Sequence, residues 1–153
     1  MELVYERTVA GVAEELALAR VDSFLAERGY QPLAGVPQAY VRGSRRAGLI
    51  TFDMAKLFTR LEISTRRSET GAELSLRFMV DTFGQWISET NRRFWDLETD
   101  DLFDAADGRP WSAERLETYR RAARRDTLRF VTTSLLLSVV CFLLVWAIGL
   151  ASW

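Results

Sequence analysis

The chain has 153 residues, of which 48% are hydrophobic and 27% are charged, a composition that suits a globular domain and excludes disordered, collagen-like and disulfide-scaffold proteins. Its net charge of −1 gives no overall attraction for nucleic acid, so no nucleic-acid partner is expected. The lone Cys141 cannot form an internal disulfide, and the absence of histidine removes the commonest general base and metal ligand, so we predict no catalytic residues, no metal, no cofactor and no enzyme activity.

The first predicted elements are a strand and a helix. In residues 3–9, one face of the strand carries Leu3, Tyr5, Arg7 and Val9. Residues 10–29 then read as a helix that ends at Gly29, a residue suited to the left-handed position after a helix. The apolar face of this helix, broad enough to cover a sheet, consists of Val12, Leu16, Ala19 and Phe24, with Leu18, Val21 and Leu25 beside it.

Four further segments are predicted to be strands, at residues 38–42, 49–53, 58–66 and 72–81. The last two alternate most clearly between apolar and polar residues, so each has one buried and one solvated face. This pattern is typical of an antiparallel sheet that faces water on one side. The connections 43–48 and 67–71 contain the glycine and serine of hairpin loops.

A second helix is predicted to begin near Thr82. Its apolar side consists of Phe83, Trp86, Ile87, Thr90, Phe94 and Leu97. The element order is then β-α-β-β-β-β-α, which predicts an α+β fold with an antiparallel sheet of four to five strands covered by helices. We assign this cytoplasmic domain to residues 1–95.

Charge is distributed unevenly after this domain. Residues 96–107 hold six acidic and no basic side chains. Their acids fall at loop positions 1, 3, 5, 9 and 12 of a calcium-binding pattern, but Asp101 replaces the required glycine and Asp107 replaces the bidentate glutamate. The other interpretations of this acidic segment are a solvated helix end and a docking surface for basic partners.

Residues 108–129 hold seven basic and three acidic side chains and are predicted to form a stem helix. Gly108 and Pro110 mark a break, Ser112 is a candidate N-cap, and no further helix breaker precedes the next segment. The apolar face of the stem consists of Leu116, Tyr119, Ala123 and Phe130. Such a helix can lie near lipid headgroups or against another helix, or it can be a solvated stalk.

Residues 130–153 contain no charged side chain and are long enough to cross a bilayer as one transmembrane helix. The preceding arginines are Arg120, Arg121, Arg124, Arg125 and Arg129. By the positive-inside rule they place the N-terminal domain in the cytoplasm. We expect the helix to lie in the inner membrane. We expect a tail-anchored, single-pass protein that inserts after synthesis.

These five arginines and Trp153 are the predicted membrane-interface residues, with Trp153 at the far headgroup level. The arginines can bind anionic lipids, or they can act only as a topology signal. Membrane lipids are therefore expected partners.

Small residues recur along one stripe of the span at helical spacing. They are Ser134, Ser138, Cys141, Gly149 and Ser152, with Val145 between them. Such a stripe lets a second helix approach closely, which predicts contact with another membrane protein or a homo-oligomer, although small residues are common in any membrane helix.

Two surface or core features admit a functional and a plain interpretation. Arg42, Arg45, Arg46, Arg66 and Arg67 can form a basic rim for a phosphate-bearing ligand, or they can be ordinary surface residues. Aromatic residues near Phe78, Phe83, Trp86, Phe94 and Trp95 can line an apolar pocket, or they can be core.

Three functional hypotheses follow. The first is a non-catalytic accessory or assembly subunit that binds a membrane-protein complex. The alternative is a membrane-tethered module that binds a lipid or small hydrophobic ligand, and the third is an enzyme acting on a membrane-embedded substrate. The use of 19 arginines but only one lysine suggests a GC-rich bacterial genome.

Overall fold

The computed structural model describes residues 1–48, 53–68, 71–82 and 87–151. The strands are β1 (Glu2–Ala10), β2 (Gln31–Pro32), β3 (Ala39–Arg42), β4 (Thr59–Ser68) and β5 (Gly71–Val80). The helices are α1 (Glu14–Glu27), α2 (Arg45–Gly48), α3 (Glu89–Asp107) and α4 (Ala113–Ala151), with a 3-10 turn at Met54–Lys56.

The five strands form one antiparallel sheet in the order β1-β5-β4-β3-β2. This confirms the predicted α+β fold and its strand number. The fifth strand is the short β2, which lies between the predicted helix and the predicted strand at 38–42 and was not predicted; it pairs with β3. The predicted strand at 49–53 lies outside the described residues except for Asp53, which precedes the 3-10 turn.

One face of the sheet carries the core, as the alternation predicts. On β4 and β5 the buried apolar side chains are Leu61, Ile63, Leu74, Leu76, Phe78 and Val80. The opposite face is polar and partly exposed: Arg77 of β5 lies near Glu2 of β1 at 3.3 Å, and Arg60 and Glu62 pair along β4 at 2.6 Å. The sheet is therefore covered by helices on one side only.

Helices α1 and α3 lie side by side on the apolar face of the sheet. The buried residues of α1 are Ala17, Val21, Phe24 and Leu25. The prediction is wrong for two residues of the apolar face of α1, Leu16 and Ala19, which are exposed. The observed buried positions follow the spacing i, i+4, i+7 and i+8, which describes one face of a helix.

Helix α3 begins later than predicted. Residues 81, 82, 87 and 88 are not helical, and the Ser88 hydroxyl accepts a hydrogen bond from the backbone N–H of Asn91 at 3.1 Å. Ser88 is thus the N-cap, which satisfies a donor that the first helical turn leaves unpaired. Gly108 ends the helix in the left-handed conformation with φ 77°, as the predicted break at this position requires.

Helix α4 is one continuous element of 39 residues, about 58 Å long. The Ser112 hydroxyl accepts a hydrogen bond from the N–H of Arg115 at 3.2 Å, which confirms the predicted N-cap. We call residues 113–129 of α4 its stem part and residues 130–151 its apolar part. The stem part runs antiparallel to α3, since Arg115 contacts Asp101 and Thr127 contacts Asn91.

Candidate functional site

The sheet packs with α1 and with the whole of α3, to Asp107, and we call this unit the domain from here on. The stem part of α4 is fixed to the domain along most of its length. Leu116 and Ala123, two members of its predicted apolar face, are buried. Near its lower end the Asn91 amide donates to the Thr127 hydroxyl at 3.3 Å. Because Thr127 lies three residues before the apolar part, no free linker separates the folded domain from that segment.

The N-terminal end of the stem part is held by a buried carboxylate. Asp101 of α3 accepts a hydrogen bond from Arg115 at 2.8 Å and lies 3.5 Å from Arg28, the residue that directly follows α1. Burial raises the pKa of Asp101, although Arg115 and Arg28 oppose the shift. The Arg28 guanidinium also stacks over Trp111 at 4.6 Å, so three helices and the connecting segment meet here.

Arg120 is held by Asp53, which precedes the 3-10 turn. Arg120 donates to both carboxylate oxygens, at 2.8 and 2.5 Å, in the bidentate geometry that guanidinium and carboxylate favour. Burial alone would raise the pKa of Asp53, but the hydrogen bonds and charge of Arg120 outweigh it and hold that pKa below its usual value. Arg120 was predicted at the membrane interface, and its side chain is occupied within the domain.

The other predicted interface arginines have different surroundings. Arg121, Arg124, Arg125 and Arg129 are all exposed, Arg121 with 79% of its side chain accessible. Arg121 lies 3.6 Å from Glu117. Among the described residues, no carboxylate lies within ion-pair distance of Arg124, Arg125 or Arg129. Trp153, the sixth predicted interface residue, lies outside the described residues.

The exposed arginines line a shallow, largely open groove of about 480 Å³ on the surface of α4, which we call the arginine groove. Its lining residues are Arg121, Arg124, Arg125, Leu128, Arg129, Thr132 and Thr133. They recur at the three- and four-residue spacing of one helix face. The groove therefore runs from the stem part into the apolar part of α4.

The apolar part is exposed on every described side. Helix α4 is the single helix in the described chain that is long and apolar enough to cross a membrane, and its apolar window is not buried in the domain. Large apolar side chains point outward around the whole helix, among them Leu135, Leu136, Leu137, Phe142 and Trp146. This is compatible with a membrane anchor, because water disfavours so large an apolar surface.

The predicted helix-contact stripe lies partly in the described chain. Ser134, Ser138 and Cys141 are exposed on one side of the apolar part, and the Ser138 hydroxyl donates to the carbonyl of Ser134 at 2.9 Å. The Ser138 hydroxyl is therefore already hydrogen-bonded within α4. Ser138 would contact a second helix through its small size and not through a hydrogen bond. Gly149 lies in the helix, and Ser152 lies outside the described residues.

A buried charge cluster that the sequence analysis missed lies beneath α3. Glu98 is fully buried and binds Arg42 of β3 through two contacts, one of them at 2.9 Å. Tyr30 also donates to Glu98 at 3.1 Å, and burial raises the Tyr30 pKa well above its ordinary value. Burial lowers the pKa of Arg42, but the charge of Glu98 outweighs this, so the net shift of the Arg42 pKa is upward and its guanidinium stays protonated.

This cluster corrects two interpretations. Arg42 is not part of a basic rim, because it is buried against Glu98, whereas Arg45 and Arg46 are exposed. The signal for Glu98 was present in the sequence: Trp95, Glu98 and Leu102 share the buried face of α3, so an acid stands at an apolar position. A carboxylate at such a position requires a buried partner.

The acidic segment 96–107 does not form a calcium-binding loop. All of it is helical, so its acids cannot wrap around a single ion as a loop would. Nor is it a uniformly solvated helix end, because Glu98 and Asp101 are buried and paired with arginines. Within the described residues no group of acidic or cysteine side chains could hold a metal ion.

The aromatic residues considered for a ligand pocket lie mainly in the core. Phe78, Phe94 and Trp95 are buried, and Phe94 packs edge-on against Trp95 at 5.7 Å. Phe83 and Trp86 lie outside the described residues. The described members therefore have the plain interpretation, which is packing.

No protein-family model, no curated protein and no solved structure shows significant similarity to this chain.

Proposed function

We propose that this protein is a single-pass membrane protein whose α+β domain lies at the cytoplasmic face of the inner membrane, where it acts as a non-catalytic accessory or assembly subunit of a membrane-protein complex. One observation carries the proposal. Helix α4 passes without a break from a stem part packed on the domain into an apolar part exposed on all described sides.

The apolar part supports the anchor. From Phe130 onward every described side chain of α4 is exposed, including residues as large as Trp146. An uncharged helix of this length matches a hydrocarbon core of about 30 Å. In water the same surface would be a large exposed apolar patch, so the bilayer is the environment that fits it.

The stem supports the orientation. Arg121, Arg124, Arg125 and Arg129 lie just before the apolar part and remain exposed, as expected for residues that hold a helix end on the cytoplasmic side. Only Arg120 of the predicted set is bound within the domain. The arginine-rich composition supports a bacterial source, and hence the inner membrane.

The connection between domain and anchor supports an assembly function. Three contacts fix the stem part, one near its N-terminal end, one at its middle and one near its C-terminal end. They are Arg115 with Asp101, Arg120 with Asp53 and Thr127 with Asn91. A partner bound through the membrane helix would therefore meet the domain in one fixed position. This arrangement suits a subunit that positions other proteins.

The stripe of Ser134, Ser138, Cys141, Gly149 and Ser152 is the proposed contact face for a partner helix. Cys141 is the sole cysteine of the chain and is exposed. It therefore serves as a built-in probe for a second copy of the protein, because oxidation would join two copies that face each other along the stripe.

The test is crosslinking and mass spectrometry of the full chain in its native membranes. We expect a membrane protein, or a second copy, to be crosslinked to the wild type and lost in Ser138→Leu and Gly149→Leu. Val140→Leu, a substitution on the opposite face of α4, should keep the complex. A disulfide through Cys141, but not through a cysteine placed at position 140 of a Cys141→Ala protein, would identify a homodimer.

Two results would contradict the proposal. The first is recovery of the full chain in the soluble fraction without detergent, which would remove the anchor. The second is a wild-type protein in the membrane with no crosslinked partner and no self-crosslink at native expression, which would remove the assembly function.

A further inference from the structure

The arginines of the stem divide into two sets by their partners. Arg115 and Arg120 are bound by buried carboxylates of the domain. Arg124, Arg125 and Arg129 are exposed and, among the described residues, have no carboxylate within ion-pair distance. Arg121 is also exposed and belongs to this second set, although it lies 3.6 Å from Glu117 of α4 itself. The arginines that face the domain therefore have ion-pair partners within the protein. The other arginines remain available to bind an anionic group from outside the protein.

The second set lies at the depth of lipid headgroups if the apolar part spans the bilayer. Arg129 directly precedes that part, and Arg125, Arg124 and Arg121 lie about 6, 7.5 and 12 Å from Arg129 along the helix axis, toward the N-terminus. The polar layer on each side of the hydrocarbon is roughly 5–8 Å thick. The guanidinium groups therefore lie along the whole thickness of the polar layer and just beyond its outer edge.

The shape of this face suits a phosphate with attached apolar chains. The groove of about 480 Å³ is lined by four arginines as far as Arg129 and then by Thr132 and Thr133, after which α4 continues with apolar residues. Guanidinium binds phosphate oxygens through paired hydrogen bonds. A phospholipid has the same order of groups, from a charged head to an apolar tail.

Charge decides which phospholipid fits. Four arginines line the groove, and Asp126, on the neighbouring exposed side of the stem, and Glu117, beside Arg121, are the nearby acids. Glu117 also binds Arg120, so the groove keeps an excess of positive charge. A zwitterionic headgroup brings its own cation, whereas an anionic headgroup does not.

We propose that the arginine groove is a binding site for the headgroup of an anionic phospholipid in the leaflet next to the domain. This inference rests on the proposed membrane anchor. It adds that the stem selects its lipid, rather than only setting the orientation of the helix.

The experiment uses the purified full chain reconstituted in lipid nanodiscs of phosphatidylcholine with a minority of phosphatidylglycerol. The lipids that stay bound to the released protein are identified by native mass spectrometry. We expect phosphatidylglycerol to be enriched about 10-fold over its bulk fraction on the wild type, since each arginine near an anionic surface contributes severalfold. Because both faces of a nanodisc are accessible, a change of insertion direction does not affect the result.

The test variant is Arg124→Gln/Arg125→Gln/Arg129→Gln, which removes three exposed charges without touching the buried contacts. Its enrichment should fall to about twofold or less, as expected when most of the groove charge is lost. The matched control is Arg66→Gln/Arg67→Gln/Arg77→Gln, which removes the same charge from exposed sites on β4 and β5. It should retain the wild-type enrichment.

Equal enrichment in all three proteins would overturn the lipid site. So would stabilisation of the detergent-solubilised wild type by inorganic phosphate to the same extent as by phosphatidylglycerol, because the occupant would then be free phosphate. A protein that cannot be reconstituted and stays in water without detergent would instead overturn the proposed anchor, so the two failures are distinguishable.

Discussion

The stem part and the apolar part of α4 form one unbroken helix in two different surroundings. In the stem part, apolar residues such as Leu116 and Ala123 follow one buried face, and two of the arginines are bound by the domain. In the apolar part, large apolar side chains surround the axis and are exposed. Helix formation is common to both parts, and the distribution of apolar residues around the axis distinguishes a helix that packs on the domain with one face from a helix that is apolar and exposed on all described sides.

The strongest way to break this comparison is to put charge into the apolar part. Leu137→Asp/Phe142→Asp should raise the free energy of membrane insertion by about 5–6 kcal/mol, because each aspartate near the centre of a span costs about 3 kcal/mol. The fraction of full chain in the membrane pellet after alkaline extraction should fall sharply. Leu137→Ala/Phe142→Ala is the control and should stay in the pellet.

A double-aspartate protein that remains in the pellet as fully as the alanine control would refute the assignment of the apolar part. Thermal unfolding of its domain should meanwhile match the wild type, since neither side chain touches the domain.

The second effect concerns α3, against which the stem part packs. Glu98→Ala should lower the free energy of unfolding by about 3–5 kcal/mol, because it leaves the buried Arg42 without its counter-charge. The measurement is chemical denaturation of the full chain in detergent. Asp100→Ala, which breaks the exposed Arg7–Asp100 pair at 3.0 Å and leaves Arg7 over the Phe103 ring, is the comparison and should cost less than about 1 kcal/mol.

If both substitutions had the same small effect, Glu98 would not be the buried centre of the charge cluster.

The third prediction compares the effect of the same substitution, leucine to alanine, in the two parts of α4. Leu116→Ala should lower the free energy of unfolding by about 2–3 kcal/mol, the cost of a cavity in a packed interface. Leu136→Ala, in the apolar part and exposed, should leave domain unfolding unchanged. Thermal denaturation of both variants in the same detergent tests the contrast, and equal losses would contradict it.

The smallest effect is a pH dependence at Asp53. Asp53→Asn should lower the free energy of unfolding by about 1 kcal/mol at neutral pH. The effect is small because the ion pair that it removes involves the partly exposed side chain of Arg120. The pKa of Asp53 is lower in the folded state than in the unfolded chain, so this stabilisation is present above about pH 4 and declines as pH falls through the folded pKa.

Unfolding curves of wild type and Asp53→Asn should therefore converge on acidification. A gap between the two curves that stays constant below about pH 3 would contradict a salt bridge with a lowered pKa.

Much of the fold followed from local sequence patterns. The alternation in β4 and β5, the serine N-cap of α4 and the glycine that ends α3 involve residues close together in the chain, and the structure confirms all of them. The start of α3 was misplaced because the aromatic residues after Thr82 suggested a longer helix than the Ser88 cap allows.

The charge pairs could not be predicted in the same way. Asp53 and Arg120 are 67 residues apart, and Arg42 and Glu98 are 56 apart. With several exposed acids and arginines of similar local context, nothing in the sequence identifies which will meet. The candidate site was predicted in outline, as a basic stem before an apolar helix, but its division into bound and available arginines depends on tertiary structure.

The hydrogen bond between Asn91 and Thr127 has a mechanical consequence. Since α4 continues without a break beyond Thr127, the domain and the apolar part of α4 turn together as a lever. From Thr127 to the N-terminal end of α4 the lever is about 21 Å long, so a change in helix tilt of roughly 10° would move that end by about 4 Å. If α4 is the proposed membrane anchor, a change in bilayer thickness, which alters helix tilt, would thereby displace the domain sideways.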